Sequence, residues 1–427
     1  MIEVLKTIIK DFHKKGVPEL FKREIKIPIS TDKIITLVGS RRAGKTYMLY
    51  NLISDIIQKI SIENIIYINF EDERLNLEKE DLGKIIDAYL ELYPEKDMSK
   101  IYLFFDEIQD INGWEKFVRR MYDSVTKNIF ITGSSARLLS KEIATSLRGR
   151  TISYEIYPLS FKEYLSYNSI DAKDIHSTQN KAKIKSAFNK FLMLGSYPET
   201  LNMNEDISIK TLQSYVDVMI YKDLVDRYKI KKPETIKLFI KKCITYLSKD
   251  FSINKTYNEF KSMGVKISKD TMYSYSKHVE DIFLIFFINV FNPSLMLQES
   301  YTKKAYCIDN GLANSYSFKN SHDKGRLLEN LVFLELKRKS NKIYFHKKKK
   351  ECDFIVQKSY KIVQAIQVTQ NLENTNTKKR EIDGLLDALD TYKLKQGFIL
   401  TGNEEEEIKV GDKIIIICPV WKWLLKY

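Results

Sequence analysis

The sequence predicts an α/β protein of several domains, with a parallel β-sheet in its first part and a second α/β region at its end. The first of three supporting observations is an apolar strand at 34–38, followed by a glycine-rich turn and an amphipathic helix. Two more apolar stretches, 101–105 and 129–132, each end in polar residues. After residue 324, one helical pattern precedes short strands that tight turns separate. Strands that alternate with helical patterns are typical of parallel sheets.

Length and composition indicate a folded, multidomain protein with a basic surface. The chain has 427 residues, which fits roughly two to four domains. Its 44% of hydrophobic residues excludes a disordered chain, and its 8 prolines and 15 glycines argue against long flexible linkers. The net charge of +14 suits a polyanionic partner such as nucleic acid or an anionic membrane surface, although a lysine-rich surface also serves solubility alone.

The patterns of cysteine, histidine and hydropathy exclude several other classes of protein. The 4 cysteines stand singly and the 5 histidines are dispersed, so neither a zinc site nor a disulfide framework is expected. No apolar run approaches the roughly 20 residues that a membrane span needs. The N-terminal stretch 1–15 has the pattern of an amphipathic helix and not of a signal peptide. We therefore expect a cytoplasmic protein with no membrane partner.

The glycine-rich turn matches the phosphate-binding pattern G-x-x-x-x-G-K-[ST], from Gly39 to Thr46. Glycines allow backbone N–H groups to curl around phosphate oxygens, and the start of the following helix adds its dipole. Lys45 is predicted to reach the β- and γ-phosphates of ATP and to act in catalysis, and Thr46 to offer its hydroxyl to Mg²⁺. The predicted nucleotide-binding residues are Gly39, Ser40, Arg41, Arg42, Ala43, Gly44, Lys45, Thr46 and Tyr47.

A second nucleotide-binding feature is the stretch KIYLFFDEIQD, in which an apolar strand ends in Asp106 and Glu107. This is the pattern of a Walker B motif. Asp106 is predicted to hold Mg²⁺ through water, and Glu107 to polarise the water that attacks ATP. An ordinary strand with a solvated acidic end is the alternative interpretation, which the upstream phosphate loop disfavours.

Two further groups of polar residues are candidates for contact with the γ-phosphate. The third apolar strand ends at Ser134 and Ser135, and ligands of open α/β sheets bind beyond the carboxyl ends of strands. We favour Ser134 as a γ-phosphate sensor over a plain helix N-cap. Arg148 and Arg150 precede another strand. Because arginine stabilises a transferring phosphoryl group, we predict that one acts in cis or from a neighbouring subunit of a homo-oligomer; a structural pair with a carboxylate is the alternative.

Five stretches together carry a resemblance to a known family: GSRRAGKT, LFFDEIQDINGWEKFVRRMYD, ITGSSARLLS, LRGR and YPLSFKEYL. In them the chain resembles the AAA-family ATPases of archaea and bacteria, which carry a C-terminal domain of unknown function related to PD-(D/E)XK nucleases. The resemblance covers nearly the whole chain. It implies the strand order of an ASCE-type P-loop ATPase, a small helical lid after the core, and ATP hydrolysis. It implies no defined substrate.

Residues 231–295 have the layout of a winged helix-turn-helix: a helix, a short helix closed by Gly264, another helix and a strand. In DNA binders of this class the second helix of the pair enters the major groove. Its predicted outward residues are Lys269, Thr271, Ser274 and Lys277. Winged helices also serve as protein contacts or as spacers, and those interpretations stay open.

The end of the chain carries part of the PD-(D/E)XK nuclease pattern. ECDFIV places Asp353 in an apolar strand, and AIQVTQ places Gln367 and Thr369 where a second acid and a lysine would stand. Counting outward from a hairpin centre near Ser359 puts Asp353 nearly opposite Gln367, and a preceding helix offers Glu329. Asp353 and Glu329 are predicted to retain a weak Mg²⁺. Because Gln367 is neutral and the lysine is missing, we expect weak or absent cleavage.

A lysine-rich segment beside this pattern has the composition of a phosphate-contacting edge. Its basic residues, with Tyr344 and Phe345 between them, are Lys337, Arg338, Lys339, Lys342, Lys347, Lys348, Lys349 and Lys350. A solvated hairpin tip is the alternative interpretation. Nucleic acid, and DNA in particular, is therefore the predicted partner.

These features divide the chain into four predicted segments. They are a P-loop ATPase core at 1–160, a helical lid at 161–230, a winged-helix-like domain at 231–295 and a nuclease-like domain at 296–427. The predicted function is binding and hydrolysis of ATP, coupled to action on nucleic acid or regulated by it. Two alternatives stay open: a signalling or regulatory switch with slow turnover, and a Mg²⁺-dependent nuclease gated by ATP.

Overall fold

The chain forms two compact units, Met1–Tyr157 and Pro158–Tyr427, in a computed structural model. The described residues are 1–134, 145, 147–294, 296, 298, 302–317, 324–339 and 342–426. Ser135, one of the two serines considered as phosphate sensors, lies outside them.

The first unit is built around a five-stranded parallel sheet. Its strands are β1 (Ile34–Val38), β2 (Ile65–Asn69), β3 (Tyr102–Asp106), β4 (Ile129–Gly133) and β5 (Thr151–Glu155). They lie in the order β2-β3-β4-β1-β5, and every neighbouring pair is parallel. The strand that precedes the phosphate loop is thus separated from the acidic strand by β4, as expected for an ASCE-type core. The predicted α/β class with a parallel sheet is confirmed.

Helices cover this sheet because its strands are apolar on both faces. The helices are α1 (Ile2–Lys15), α2 (Lys45–Ile57), α3 (Lys84–Leu92) and α4 (Trp114–Ser124). Leu49, Leu52 and Ile53 of α2 pack into one buried cluster with Phe104 of β3 and Phe130 of β4. The two phenylalanine rings stack with their centroids 4.7 Å apart. This packing anchors the start of α2, which carries the end of the phosphate loop.

The second unit begins with a group of helices. They are α5 (Phe161–Tyr167), α6 (Thr178–Leu194), α7 (Glu205–Val218) and a π-helical segment, Met219–Asp226. Helix α5 starts with a capping box, in which Ser160 accepts from the backbone of Glu163 and the Glu163 carboxylate accepts from the backbone of Ser160. The segment predicted as a lid therefore packs in the second unit, where α6 and α7 contact a later helix, α11 (Asn310–Tyr316).

A small helix-and-strand group follows. Its elements are α8 (Pro233–Thr245), β6 (Asp250–Phe251), α9 (Ile253–Ser262), α10 (Lys269–Asp281), β7 (Ile285–Ile288) and β8 (Lys303–Cys307). The three strands form an antiparallel sheet in the order β6-β8-β7. Since β8 completes this sheet, the group extends past the predicted boundary at residue 295.

The last part of the chain forms a six-stranded sheet with a helix against it. The elements are α12 (Lys324–Arg338), β9 (Lys342–Lys347), β10 (Glu351–Lys358), β11 (Lys361–Val368), α13 (Thr375–Tyr392), β12 (Gln396–Thr401), β13 (Glu406–Val410), β14 (Lys413–Pro419) and α14 (Val420–Lys426). The strand order is β13-β14-β12-β11-β10-β9. Strands β9 to β11 are antiparallel, and β12 runs parallel to β11 after the α13 crossover.

The β10–β11 hairpin has the centre that the sequence predicts. Strand β10 ends at Lys358 and β11 begins at Lys361, which leaves Ser359 and Tyr360 as the turn. Ser359 has a φ of 54°, the left-handed conformation that a tight hairpin turn requires. Phe354 pairs with Ile366 in the register, so Asp353 and Gln367 are adjacent across the two strands.

Candidate functional site

Three polar groups meet at the carboxyl edge of the parallel sheet in the first unit. Val38 at the end of β1 pairs with Gly133 at the end of β4, so the phosphate loop and Ser134 begin side by side. Asp106 ends β3, which pairs with β4 on its other side. Ligands of open α/β sheets bind at this edge. Ser134 is buried there.

The backbone of the phosphate loop has the curled form that binds anions. Arg42 has a φ of 63° and Gly44 a φ of 97°, both in the left-handed region. Alternation of such conformations turns successive N–H groups toward one point. A Cβ atom at Gly39 would overlap the backbone carbonyl of Ile156, so only glycine fits this close approach.

An arginine from the segment between α1 and β1 braces the loop from behind. Arg23 donates from Nη1 to the carbonyl of Ala43 at 3.3 Å and from Nη2 to the carbonyl of Tyr157 at 2.8 Å. No sequence motif marks Arg23, because it precedes the loop by a whole strand. Its contact with Ala43 fixes the loop next to Gly44.

Lys45 connects the loop to the acidic strand. It is 5% exposed. Its Nζ donates to the carbonyls of Gly39 at 3.2 Å and Ser40 at 3.1 Å, and lies 3.3 Å from Oε1 of Glu107. Each of these three partner atoms is an oxygen atom. A lysine at this position of a phosphate loop is suited to bind the oxygen atoms of a phosphate group in the same way.

Glu107 is held as a buried carboxylate. Burial raises its pKa, but the Lys45 ammonium and the Gln109 amide outweigh burial, so the pKa lies below its ordinary value. Gln109 donates to Oε2 at 2.6 Å. The backbone of Glu107 has a φ of 53°, and its N–H donates to Oγ1 of Thr132 at 2.9 Å. A carboxylate of lowered pKa is ionised at neutral pH and can accept a hydrogen bond from water.

Asp106 is fixed by hydroxyl groups from neighbouring elements. Thr132 donates to Oδ1, and Tyr67 donates to Oδ2 at 3.0 Å. Burial raises the pKa of Asp106, and hydrogen bonds from Thr132, Thr46 and Tyr67 offset part of that effect. Thr46 and Asp106 are therefore neighbours, as a shared Mg²⁺ requires. The sequence pattern does not single out Thr132, because it lies inside an apolar strand and looks like an ordinary core residue.

The remaining predicted loop residues lie in different surroundings. Arg41 forms an ion pair with Glu71, from Nη1 to Oε1 at 3.0 Å. The Tyr47 side chain is 55% exposed at the start of α2, and its ring meets that of Tyr50 edge-on. Arg42, Ser40 and Ala43 lie in the loop itself, where Ala43 N–H donates to the Ser40 carbonyl at 3.3 Å.

The residues of this edge fit a nucleoside triphosphate with Mg²⁺. The loop offers backbone N–H groups and an ammonium for phosphate oxygens. Thr46 and Asp106 offer the oxygen ligands that Mg²⁺ prefers, and both are already held at this edge by the contacts above.

The structure places Arg150 away from the phosphate loop of its own subunit. Arg150 precedes β5, whose first residue pairs with Ile34 at the start of β1, and Ile34 N–H donates to the Arg150 carbonyl at 2.8 Å. Arg150 therefore lies at the amino edge of the sheet, about 15 Å along β1 from the phosphate loop. The Arg150 guanidinium also pairs with Asp123, from Nε to Oδ1 at 3.0 Å. Action in trans stays a prediction.

The second unit contains a buried charged cluster that includes the predicted nuclease-like residues. Glu329 of α12 and Asp353 of β10 face the same ammonium group, that of Lys304 on β8. The Nζ atom of Lys304 lies 2.7 Å from Oδ1 of Asp353, 3.5 Å from Oε1 of Glu329 and 3.0 Å from Oε1 of Glu351. Lys304, which no sequence motif marks, thus pairs with both carboxylates at the place where the sequence predicts a weak Mg²⁺.

Gln367 does not turn its oxygen toward this cluster. Its Oε1 accepts from the backbone N–H of Asp353 at 3.1 Å, and its Nε2 donates to Glu381. Asp353 accepts from the N–H of Val368 at 2.9 Å through its other oxygen. Gln367 therefore aligns the two strands and does not complete a set of metal ligands. Within the described part of the chain, no cluster of three or more His, Cys, Asp or Glu side chains is suited to a metal ion.

The charges in this cluster shift the pKa of Glu329. Burial and the nearby Asp353 carboxylate raise it to about 8, although Lys304 and the Tyr306 hydroxyl act in the opposite direction. Tyr306 donates to Oε1 of Glu329 at 2.7 Å. At neutral pH the cluster thus holds one protonated carboxyl beside the Lys304–Asp353 ion pair.

Several residues predicted to contact nucleic acid are exposed, but Lys347 forms ion pairs within the protein. Lys348, Lys349 and Lys350 are exposed at the β9–β10 turn. Lys347 is instead paired with Asp250 and lies 3.5 Å from Glu351. On α10, the exposed predicted residues are Lys269, Ser274 and Lys277.

The basic end of α12 is not a free phosphate-contacting surface. Arg338 donates to the carbonyl of Leu159 at 3.1 Å, and Lys339 lies 3.5 Å from Glu335. Lys337 lies over the Phe286 ring at 5.9 Å. Phe345 is buried, so it is not available to stack on a base. The interpretation of this whole segment as one phosphate-contacting edge is corrected accordingly.

Comparison with known families divides the chain into three matched regions. An AAA domain matches residues 31–165, which contain the carboxyl-edge site. A domain of unknown function (DUF8612) matches 185–323, and a second one (DUF4143) matches 324–423. No helix in the described residues combines the length and apolarity that a membrane crossing requires.

Relatives from an archaeon and a bacterium match nearly the whole chain. Uncharacterized protein MJ1544 of Methanocaldococcus jannaschii is 41% identical over 425 residues, which cover 96% of this chain and 92% of the relative. An uncharacterized protein of Haemophilus influenzae is 31% identical over 405 residues, covering 93% and 95%. A solved structure of the Aeropyrum pernix ORC1 protein in complex with DNA is 10% identical and covers 74% of this chain and 91% of that one; its TM-score of 0.32 supports no inference.

Proposed function

The chain belongs to the family of these archaeal and bacterial proteins and carries an AAA domain, and we propose that it binds and hydrolyses ATP with Mg²⁺. The observation that supports this most is the Lys45–Glu107 contact at 3.3 Å. It joins a phosphate-binding ammonium to a buried carboxylate at the carboxyl edge of a parallel sheet. An acid in that position serves hydrolysis, whereas binding alone does not need it.

In the proposed reaction, the loop N–H groups and Lys45 bind the phosphates. Lys45 exchanges the carbonyls of Gly39 and Ser40 for phosphate oxygens. Glu107, held by Gln109 and by its N–H bond to Thr132, orients water and accepts its proton. Ser134 contacts the γ-phosphate from the end of β4. Bound Mg²⁺ supplies neutralisation of phosphate charge, and Thr46 and Asp106 would hold it.

The direct test compares nucleotide binding with turnover. Wild-type protein should bind ATP at full affinity only when Mg²⁺ is present, and it should release phosphate at a constant rate. Lys45→Ala should lose both binding and turnover, because it removes a phosphate contact. Binding without any phosphate release by pure protein, in the presence or absence of DNA, would support the alternative of a nucleotide-dependent switch.

A second candidate function is contact of the second unit with nucleic acid. It is favoured by the net charge of +14 and by the exposed lysines Lys348, Lys349 and Lys350 at the β9–β10 turn. We propose that the group formed by α8 to α10 and β6 to β8 is a winged helix, because its order of elements and its β6-β8-β7 sheet match that layout. Lys269 and Lys277 on α10 would then meet phosphates.

The salt dependence of DNA binding distinguishes contact at the β9–β10 turn from contact through α10. Neutralising Lys348 to Lys350 together should weaken DNA binding for every sequence and reduce the slope of log affinity against log salt by up to about 0.9 per lost duplex contact. Lys347→Ala is the matched control, since that side chain is paired with Asp250 and Glu351. Equal effects of both variants would contradict contact at the turn, and unchanged binding in all of them would move the surface to α10.

The order of α12, β9 to β11, α13 and β12 supports a nuclease-like fold for the last part of the chain, which we also propose. In it, a helix carboxyl lies beside two paired strands that carry Asp353 and Gln367. We expect plasmid, linear and junction DNA to stay intact over hours with Mg²⁺ or Mn²⁺ and ATP. Cleavage by the unmodified protein that Asp353→Ala abolishes would establish the ATP-gated nuclease instead.

A further inference from the structure

Lys304 is a buried cation with no role in the proposed ATPase. It is 3% exposed, although lysine is rarely buried without a partner. Its strand, β8, belongs to the small antiparallel sheet, whereas two of its partners, Glu351 and Asp353, lie on β10 of the larger sheet. The third partner, Glu329, lies on α12. One ammonium group therefore joins three elements through their carboxylates.

The position of this ammonium is the one that a divalent ion would need in a nuclease-like site. Such an ion binds carboxylate oxygens directly, at about 2.0–2.6 Å. The Lys304 Nζ already lies between Oδ1 of Asp353 and Oε1 of Glu329, at 2.7 and 3.5 Å. A metal ion bound to the same two oxygens would lie within a few ångströms of the ammonium, where like charges repel strongly in a buried site.

Hydrogen bonds within the protein also engage oxygens of this cluster. Oδ2 of Asp353 accepts from Val368 N–H at 2.9 Å. Oε1 of Glu329 accepts from Tyr306 at 2.7 Å. The Gln367 oxygen accepts from the Asp353 backbone. The residues present therefore do not fit a divalent metal ion while Lys304 is in place.

We propose that Lys304 is a built-in cation that takes the place of a divalent metal ion in the carboxylate cluster of Glu329, Glu351 and Asp353. The cluster then holds α12 and β10 together without metal, and removal of the ammonium converts it into a divalent-cation site. This inference rests on the proposed nuclease-like fold and not on ATP hydrolysis.

The test measures Mn²⁺ bound to full-length, nucleotide-free protein by electron paramagnetic resonance. Wild-type protein, Lys304→Met, and Lys304→Met with Asp353→Asn are compared. Lys304→Met should bind one Mn²⁺ per chain more than the wild type does, and Asp353→Asn should abolish the gain. All of these variants retain the nucleotide site. Any Mn²⁺ bound at Asp106 therefore contributes equally to each measurement and does not affect the difference between them.

Lys303→Met is the matched control. It removes the same charge from the adjacent position of β8, where side chains alternate between faces, and the Lys303 charge acts on Glu280 instead. It should leave Mn²⁺ binding as in the wild type. In a thermal scan, millimolar Mn²⁺ should raise the melting temperature of Lys304→Met by at least about 2 °C and leave that of the control unchanged.

Two results would overturn the proposal. One is Mn²⁺ binding by the wild type that Asp353→Asn abolishes, which would make Lys304 a companion of the metal and not its replacement. The other is a folded Lys304→Met protein with no additional Mn²⁺. A failure of the proposed ATPase would instead be visible as absent ATP turnover, with the Mn²⁺ results unaffected.

Two double variants test the proposal if Lys304→Met does not fold. Lys304→Met combined with Glu351→Gln removes one charge of each sign, and so does the pair with Asp353→Asn. Recovery of folding in either pair supports a cation that balances buried carboxylates. If neither pair folds, charge balance is not the role of Lys304 and the proposal is wrong.

Discussion

The Nζ atom of Lys45 lies 3.3 Å from Oε1 of Glu107, so the phosphate loop and the end of β3 are joined by one buried ion pair. Each member has a further partner: backbone carbonyls for Lys45 and the Gln109 amide for Glu107. Entry of a phosphate group would draw Lys45 away and leave Glu107 with Gln109. The pair thereby links nucleotide binding to the charged surroundings of Glu107, the proposed catalytic carboxylate.

Thr132 should matter for both stability and turnover. Thr132→Val keeps the shape but removes the hydroxyl that donates to Asp106 and accepts from Glu107 N–H. We expect a loss of about 1–3 kcal/mol in the free energy of unfolding, measured by urea denaturation, because buried polar groups lose their partners. The rate of phosphate release should also fall, and Thr132→Ser should restore most of it.

Thr126→Val supplies the control for that experiment. Thr126 is also buried in the first unit, where its hydroxyl donates to the Ile101 carbonyl at 2.8 Å. Its loss should lower stability in the same range without reducing turnover by more than the unfolded fraction. Equal turnover in Thr132→Val and Thr126→Val would contradict a specific role for Thr132.

Arg23 should affect ATP affinity without touching the nucleotide. Arg23→Ala removes the donor to the Ala43 carbonyl and so loosens the loop beside Gly44. We expect ATP to bind roughly 5- to 30-fold more weakly, the equivalent of about 1–2 kcal/mol, in a titration with fluorescent nucleotide. Lys22→Ala, whose side chain is 85% exposed, should bind ATP as the wild type does. The same affinity in both variants would contradict the bracing role.

Sequence patterns predicted the first unit well because its information is local. Each strand is a short apolar run, and the glycine-rich turn, Asp106 and Glu107 follow their strands directly. The opposition of Asp353 and Gln367 was also predictable, since alternation along a hairpin fixes it once the turn is known. The pairs that decide the chemistry were not local. Lys304 meets Asp353 across 49 positions of sequence, and Thr132 reads as an ordinary strand residue.

The position of Arg150 was beyond sequence reasoning for a related reason. Its place before a strand was clear, but which edge of the sheet that strand end occupies depends on parallel pairing with β1. Its ion pair with Asp123 depends on the packing of α4. A residue type and a nearby strand therefore suggested a phosphate contact, whereas the sheet geometry places Arg150 beside Asp123 and away from the phosphate loop of its own subunit.

An arginine acting in trans should make turnover dependent on protein concentration. Phosphate release per chain should rise with concentration, and Arg148→Ala should lower it more than Arg150→Ala does, since Arg150 is paired with Asp123. Mixing Arg148→Ala with Lys45→Ala should restore part of the activity, because each variant supplies what the other lacks. Concentration-independent turnover by a proven monomer would exclude the trans role.

The buried carboxyl of Glu329 should make stability depend on pH. Its pKa is about 8 in the folded chain and near 4.3 when unfolded, so the folded state holds the extra proton between these values. Stability should therefore fall as pH rises from about 5 to 8, by at most about 1.4 kcal/mol per pH unit from this group. Glu329→Gln should flatten that dependence in urea denaturation at pH 5.5, 7.0 and 8.5.

A second carboxyl acts in the same direction and stays in that variant. Burial raises the pKa of Glu280 to about 7, so some loss of stability with rising pH should remain in Glu329→Gln. Glu280→Gln separates the two contributions. An unchanged pH dependence in Glu329→Gln would show that Glu329 is ionised at neutral pH in the folded chain.

The most direct measurement compares ATP binding and phosphate release in Glu107→Gln. The substitution keeps the size and the hydrogen-bonding reach of the side chain but removes the proton acceptor, so the phosphate loop should bind ATP at least as tightly as the wild type does. Phosphate release should fall by about 10²- to 10⁴-fold, the usual effect of a lost general base. ATP that remains bound and unhydrolysed is the predicted result; hydrolysis by Glu107→Gln at the wild-type rate would contradict the proposed ATPase site.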